Sequence, residues 1–160
     1  MLRMQNYNNL AVWRKAHALL LNIHREIRVF PREFHNLRGQ LRRSAESIPN
    51  NIVEGCGRES QKELANYIQN AISSANEVQY QLRQALDYGI MKPGAWNRLT
   101  ADVCEVRRML HGFRKRVRAD IEAEELAPKQ GKPTPVRSQR RAAGTASTRL
   151  DSAPESVPGS

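Results

Sequence analysis

The chain has 160 residues, 39% hydrophobic and 6% aromatic, with 26 basic residues against 16 acidic and a net charge of +10. That length suits one core and excludes a multi-domain enzyme, and the shortage of strand-favouring Tyr, Phe, Val and Thr argues against an all-β fold. Twenty of the basic residues are Arg, which forks bidentately onto phosphate, so the balance points to an anionic partner, nucleic acid or an anionic membrane.

Apolar runs such as Ala18–Leu21 are far shorter than the ~20 residues a membrane helix needs, and no signal-peptide h-region is visible. A cytoplasmic protein that does not engage a membrane is expected. Cys56 and Cys104 are too few and too far apart for a disulfide framework and are expected as free thiols.

In chain order, apolar residues recur at alternating three–four spacing in four segments, the signature of amphipathic helices. The first, about 9–30, carries Trp13, Ala16, Leu20, Ile23, Ile27 and Phe30, with Asn8 or Asn9 as its cap and Pro31 after its end. The second, about 34–55, carries Leu37, Leu41, Ala45, Ile48 and Ile52, and Pro49 should bend its last turns. The third, about 60–89, opens on the capping box Ser60-Gln61-Lys62-Glu63, carries Leu64, Ile68, Ala71, Ala75, Val78, Leu82 and Ala85, and closes on Gly89. The fourth, about 93–125, has Pro93 in its first turn and Trp96, Leu99, Val103, Val106, Leu110, Phe113 and Val117 on its apolar face.

From Pro128 the texture changes to Pro, Ser, Thr, Gly and Ala with scattered Arg and no apolar period, which predicts a disordered basic tail over 128–160. Six basic and two acidic residues give it +4, leaving +6 on residues 1–127.

Short connections make successive helices antiparallel, so facing positions should have numbers that add to a constant. Leu82 with Leu99, Val78 with Val103, Ile68 with Phe113 and Leu64 with Val117 all give 181; Ile27 with Leu37 and Ile23 with Leu41 give 64. These registers predict an all-α, up-down-up-down four-helix bundle.

A polar line, Gln40, Ser44, Ser47, Asn51 and Glu54, runs beside the apolar stripe of the second helix, and Asn66, Asn70, Ser73, Glu77 and Gln84 run along the third. With the turn centred on Gly57 the facing sum is about 114, which sets Ser44 near Asn70 and Ser47 near Tyr67 as a structural polar seam. The same sum leaves the third and fourth helices overhanging the second by roughly eight residues, ~12 Å, with Leu82, Leu86, Ile90, Trp96 and Leu99 on the overhang. An apolar end of that kind is expected in a subunit contact.

No catalytic or phosphate-loop motif is present. His17 and His24 lie two turns apart without further ligands, so neither a metal nor a cofactor is expected. The candidate nucleic-acid contacts are Arg107, Arg114 and Arg118 on one face of the fourth helix, Arg108 and Lys115 alongside, and Arg38, Arg42 and Arg43 on the second. Few aromatics are available for stacking, which favours binding through phosphate.

The run from Gln40 to Gly55, with Leu10-x-x-Trp13-x-x-Ala16 before it, Phe30-Pro31-x-Glu33, and Ala71-x-x-Ser74-x-x-Glu77 after it, resembles the signature of bacterial four-helix-bundle proteins first known from 23S ribosomal RNA intervening sequences. The resemblance covers about residues 9–120 and departs at Asn36 and Ser73, where the family often has Gly. The accessory variability proteins of diversity-generating retroelements share that fold. By resemblance they imply a homopentamer that binds RNA, in preference to DNA, without catalysis, and that contacts a reverse transcriptase. Within the signature only Arg42, Arg43 and Arg58 are candidate contacts. The alternatives are a protein–protein adaptor whose charge serves solubility, and a ligand binder or enzyme using Asn51, Glu54 and Glu77.

Overall fold

The computed structural model describes residues 6–127. Four helices, α1 (Ala11–Ile27), α2 (His35–Cys56), α3 (Gln61–Asp87) and α4 (Pro93–Leu126), make up nearly all of it, with no strand among the described residues. The tail expected over 128–160 lies outside the described residues.

Each helix boundary has a local cause. Ser60 Oγ accepts from the backbone N–H of Lys62 (3.2 Å) and Glu63 (3.5 Å), as the capping box predicts. Gly89 takes φ +71°, where a β-carbon would be strained, and lets Ile90 and Met91 return their N–H groups to the carbonyl of Ala85. Pro93 opens α4, where its missing N–H costs nothing. The start of α1 differs from expectation. Neither Asn8 nor Asn9 caps it; Asn6 caps a short 3-10 turn over Tyr7–Asn9, and α1 begins after Leu10 with no side-chain cap. At its other end α1 stops at Ile27, three residues early, because Phe30 folds back and donates its N–H to the Ile27 carbonyl (3.2 Å) while burying its ring. α2 continues through Pro49 to Cys56.

The predicted stripes of α2 and α3 are buried at every position, and that of α4 at every position except half-buried Trp96. On α1 the buried face is Val12, Ala16, Leu19, Ile23 and Ile27. Trp13 and Leu20 flank it, one position from the expected line, because Trp13 packs its ring against His17 and Tyr7 at the margin of the core.

Contacts between helices fix their directions. Lys62 reaches Glu125 (2.8 Å), Arg107 reaches Asn76 (3.0 Å), and the Arg83 guanidinium lies over the Trp96 ring, so α3 and α4 run antiparallel close to the expected register. Lys15 pairs with Glu105 (2.8 Å) and Glu26 with Arg98 (3.4 Å), so α1 and α4 are also antiparallel.

The register of α2 on α3 is corrected by two turns. Ser44 bonds Glu77 (3.1 Å) and Ser47 bonds Ser74 (2.9 Å), so facing positions add to 121 and Asn70 and Tyr67 are not the partners of these serines. The cause lies at the turn: α2 runs on through Gly55 to Cys56, and the chain reverses around Ser60 rather than Gly57. The overhang disappears with this shift, since the end of α3 is level with the start of α2. Leu82 and Leu99 are fully buried within the chain, and Leu86, Ile90 and Trp96 are half-buried. The argument for self-association from an apolar overhang therefore falls.

Candidate nucleic-acid interface

The charged surface is built on helix pairs whose apolar faces are locked in the core. Where the last turns of α1 meet the first turns of α2, a groove of about 600 Å³ is lined by His24, Ile27, Arg28, His35, Arg38, Gly39 and Arg42. Arg38 and Arg42 are one turn apart on α2, and Arg28, the residue that follows α1, lines the groove opposite them. No acidic residue lines the groove. Among the described residues none of these three guanidinium groups has an ion-pair or hydrogen-bond partner. Three unengaged guanidinium-bearing side chains thus line one groove, and a guanidinium fork matches phosphate or carboxylate oxygens in geometry and charge.

A second basic surface lies on α4, where His111, Arg114, Lys115, Arg118, Ala119 and Glu122 line a depression of about 360 Å³. Arg114 has its Nε buried and unpartnered, and Glu122 reduces the field at one end. The Arg98–Glu26 contact levels the α1–α2 groove with the start of α4, so the two basic surfaces stand roughly 25 Å apart along the bundle.

Other sequence candidates are engaged within the protein. Arg107 does not join Arg114 and Arg118, because it donates to Asn76 Oδ1 and Gln79 Oε1 across the α3–α4 seam and to Cys104 Sγ on its own helix. Arg58 lies over the Tyr67 ring, donates to the Tyr67 hydroxyl and sits 4.0 Å from Glu54. Arg108 is exposed. Arg43 lines a different groove, between α2 and α3, with Gln40, Ser44, Ser47, Ser74, Glu77 and Gln81, while its Nη1 lies beside Gly39, 3.3 Å from where a β-carbon there would stand. Of the expected seam, Gln40, Ser44, Ser47 and Glu77 come together there; Asn51 stays on its own helix, donating to the Ser47 carbonyl and hydroxyl, while Asn70 and Glu54 are exposed. Ser74 and Gln81 belong to the seam and were missed with the register.

The sequence model described as 23S rRNA-intervening sequence protein matches residues 8–112. The chain belongs to that family. A crystal structure of a protein of unknown function from the S23 ribosomal protein family of Bacteroides thetaiotaomicron is similar in fold, with a TM-score of 0.61 and 23% identity over 65% of this chain and 95% of that one. No curated protein matches. Neither finding supplies a link to retroelement accessory proteins or to a reverse transcriptase.

In this 23S rRNA-intervening sequence family member no helix among the described residues is long and apolar enough to cross a membrane. No three His, Cys, Asp or Glu side chains gather among the described residues in a way that could hold a metal. Both cysteines are free, and burial pushes the Cys56 thiol up from its ordinary value, which disfavours the reactive thiolate.

Proposed function

We propose that the bundle is a non-catalytic RNA-binding protein that holds the sugar-phosphate backbone in the α1–α2 groove. The observation that carries the reading is the convergence of Arg28, Arg38 and Arg42, unpaired, on a groove with no acidic lining. Among the described residues, Arg114 and Arg118 share their depression with Glu122, and Arg107 and Arg58 are engaged within the protein. The family description, which associates its members with 23S rRNA intervening sequences, supports RNA in preference to DNA. The reading needs neither a reverse transcriptase nor a ring of copies.

Fluorescence anisotropy with single-stranded RNA and DNA of the same mixed sequence, titrated between about 50 and 200 mM salt, tests it. RNA binding that weakens linearly on a log–log plot, and that drops when Arg28, Arg38 and Arg42 become Gln in a protein that remains helical, is the expected result. Absence of salt-dependent binding by the intact chain would overturn the reading in favour of a protein adaptor.

A further inference from the structure

Two segments of the chain carry the same pattern. His35-x-Leu37-Arg38-x-x-Leu41-Arg42 lies on α2, and His111-x-Phe113-Arg114-x-x-Val117-Arg118 lies on α4. In both the apolar pair is buried, with no member more than 7% exposed, and each arginine directly follows one of the pair, ~100° further round the helix. The core contact therefore turns the histidine and both arginines onto the same flank of each helix. The two arginines of a pair stand one turn apart, ~5–6 Å between their β-carbons, which is comparable to the separation of neighbouring phosphates on a strand.

The bundle sets these two flanks back to back. α2 and α4 lie diagonally, each packed on α1 and α3 and not on one another, and both run antiparallel to α3. The α2 flank lines the α1–α2 groove. The α4 flank opens on the side of α3, because Arg107 and Glu125, which bracket it on the same stripe, reach Asn76 and Lys62 of α3. His111, Arg114 and Arg118 line the depression of about 360 Å³ there, and the two arginines form no ion pair among the described residues. Half a turn about the bundle axis, with a shift of roughly 25 Å along it, thus carries one basic flank onto the other. The flanks differ in strength. Arg28 adds a third arginine to the first, whereas the second gains Lys115 and shares its depression with Glu122.

No unopposed basic track joins them. On the α1–α4 face Lys15 is paired with Glu105 and Arg98 with Glu26. On the α2–α3 face Arg58 is held by Tyr67 beside Glu54, and Arg43 shares its groove with Glu77. A strand seated on one flank meets carboxylates on either route to the other, so wrapping is opposed and a second strand is not. The repeat of one stripe also commits the second flank to the ligand of the first.

We infer that a single copy of the chain bridges two RNA segments, one held in the α1–α2 groove and a second, more weakly, on the α4 flank of Arg114, Lys115 and Arg118. The inference rests on the phosphate-binding reading above and extends it from holding one strand to bringing two together.

The test uses the full chain and two short single-stranded RNAs of unrelated sequence that cannot pair, one tethered to a surface and one free and labelled, at low salt. The wild type, loaded on the tethered strand and washed, should capture the free one, and a mass titration should end at two strands per chain. Arg114→Gln, Lys115→Gln and Arg118→Gln together should still load on the tethered strand, end at one strand per chain and lose capture. The exposed pair Lys115→Gln and Arg118→Gln alone should lower capture severalfold with circular dichroism unchanged. Deleting residues 129–160 should leave capture in place. A wild type that saturates at one strand per chain overturns the second site and leaves the groove standing. Capture that survives both sets of substitutions, or that disappears with residues 129–160, places the second contact elsewhere and also overturns it. Complexes with equal numbers of chains and strands that nonetheless capture make the bridge a contact between copies instead. No loading on the tethered strand overturns both readings together.

Discussion

Gly55 lies so close to Tyr67 that a β-carbon built at position 55 would stand 2.9 Å from the Tyr67 Cβ and 3.0 Å from Leu64 Cδ1. The Tyr67 Cβ is anchored to the backbone of α3 and cannot swing aside, so the absent side chain at 55 is what lets the last turn of α2 pack so near α3. Gly55→Ala therefore combines a helix-propensity gain of up to about 1 kcal/mol with an overpacking cost of about 1–3 kcal/mol. A net loss of about 1 kcal/mol is expected. Gly112 is the internal control, since it sits in α4 with nothing within 4 Å of the added carbon. Gly112→Ala should raise stability by up to about 1 kcal/mol in urea denaturation. If both substitutions stabilise, the close approach at Gly55 is not limiting.

Arg107 should behave as a structural arginine. Its guanidinium joins Asn76 and Gln79 of α3 to α4, and Arg107→Gln breaks those bonds at a half-buried position. We expect the denaturation midpoint to fall by the equivalent of about 1 kcal/mol while RNA affinity changes little. Arg118→Gln, at an exposed position, should leave stability unchanged. A loss of affinity from Arg107→Gln with stability intact would return this residue to the nucleic-acid contacts.

What the sequence discloses and what it hides have separable physical origins. The stripes of α2 and α3, and all but one position of α4's, reappear as buried faces because each helix is long and one face must be apolar. The Ser60, Gly89 and Pro93 signals hold because capping is local chemistry. The α2–α3 register failed because it hung on one guess, the centre of the turn. Gly55 and Gly57 look like a break, yet α2 passes through Gly55, whose missing side chain serves helix contact instead. On α1 the ambiguity was between neighbours, Val12 or Trp13 and Leu19 or Leu20, and packing at the margin decided it. The α1–α2 groove was more legible than the reading allowed. The facing sum of 64 from the apolar pairs sets Arg28 within two positions of Arg38 and His24 within two of Arg42, so the same register that aligns the core also gathers this basic lining.

The Lys15–Glu105 pair joining α1 to α4 gives a pH dependence of known sign. The hydrogen bond from Lys15, and then its charge, hold the Glu105 carboxyl below its ordinary value of 4.5, and Arg108 adds in the same direction. The same bond holds Lys15 above its ordinary 10.5. A carboxyl depressed by folding contributes stability above its unfolded value and loses it as pH falls through the folded one. A raised lysine contributes below 10.5 and loses its contribution as pH rises through its folded value. The wild type's advantage over Glu105→Gln should thus be level through the neutral range and shrink once pH drops below 4.5. Because the pair is exposed to solvent, added salt should reduce the advantage. A difference that ignores both pH and salt would mean that the pair does not couple α1 to α4.

The salt dependence of RNA binding distinguishes the groove from the rest of the basic surface. Each phosphate neutralised on a single strand contributes about 0.7 to the slope of log affinity against log salt, because bound counterions are released. Arg38 and Arg42 project from a helix whose other face is fixed in the core, and Arg28 directly follows buried Ile27 at the end of α1, so aligning the three on a strand costs little further backbone entropy. Replacing all three with Gln should flatten the slope by up to about 2. Replacing Arg114, Lys115 and Arg118, beside the carboxylate of Glu122, should flatten it less. Deleting residues 129–160 removes six basic and two acidic residues. If that deletion flattens the slope as much per charge as the three groove substitutions do, the phosphates are held outside the bundle. If instead the groove variant alone approaches the slope of a non-binder while circular dichroism reports an intact bundle, the α1–α2 groove is where the strand lies.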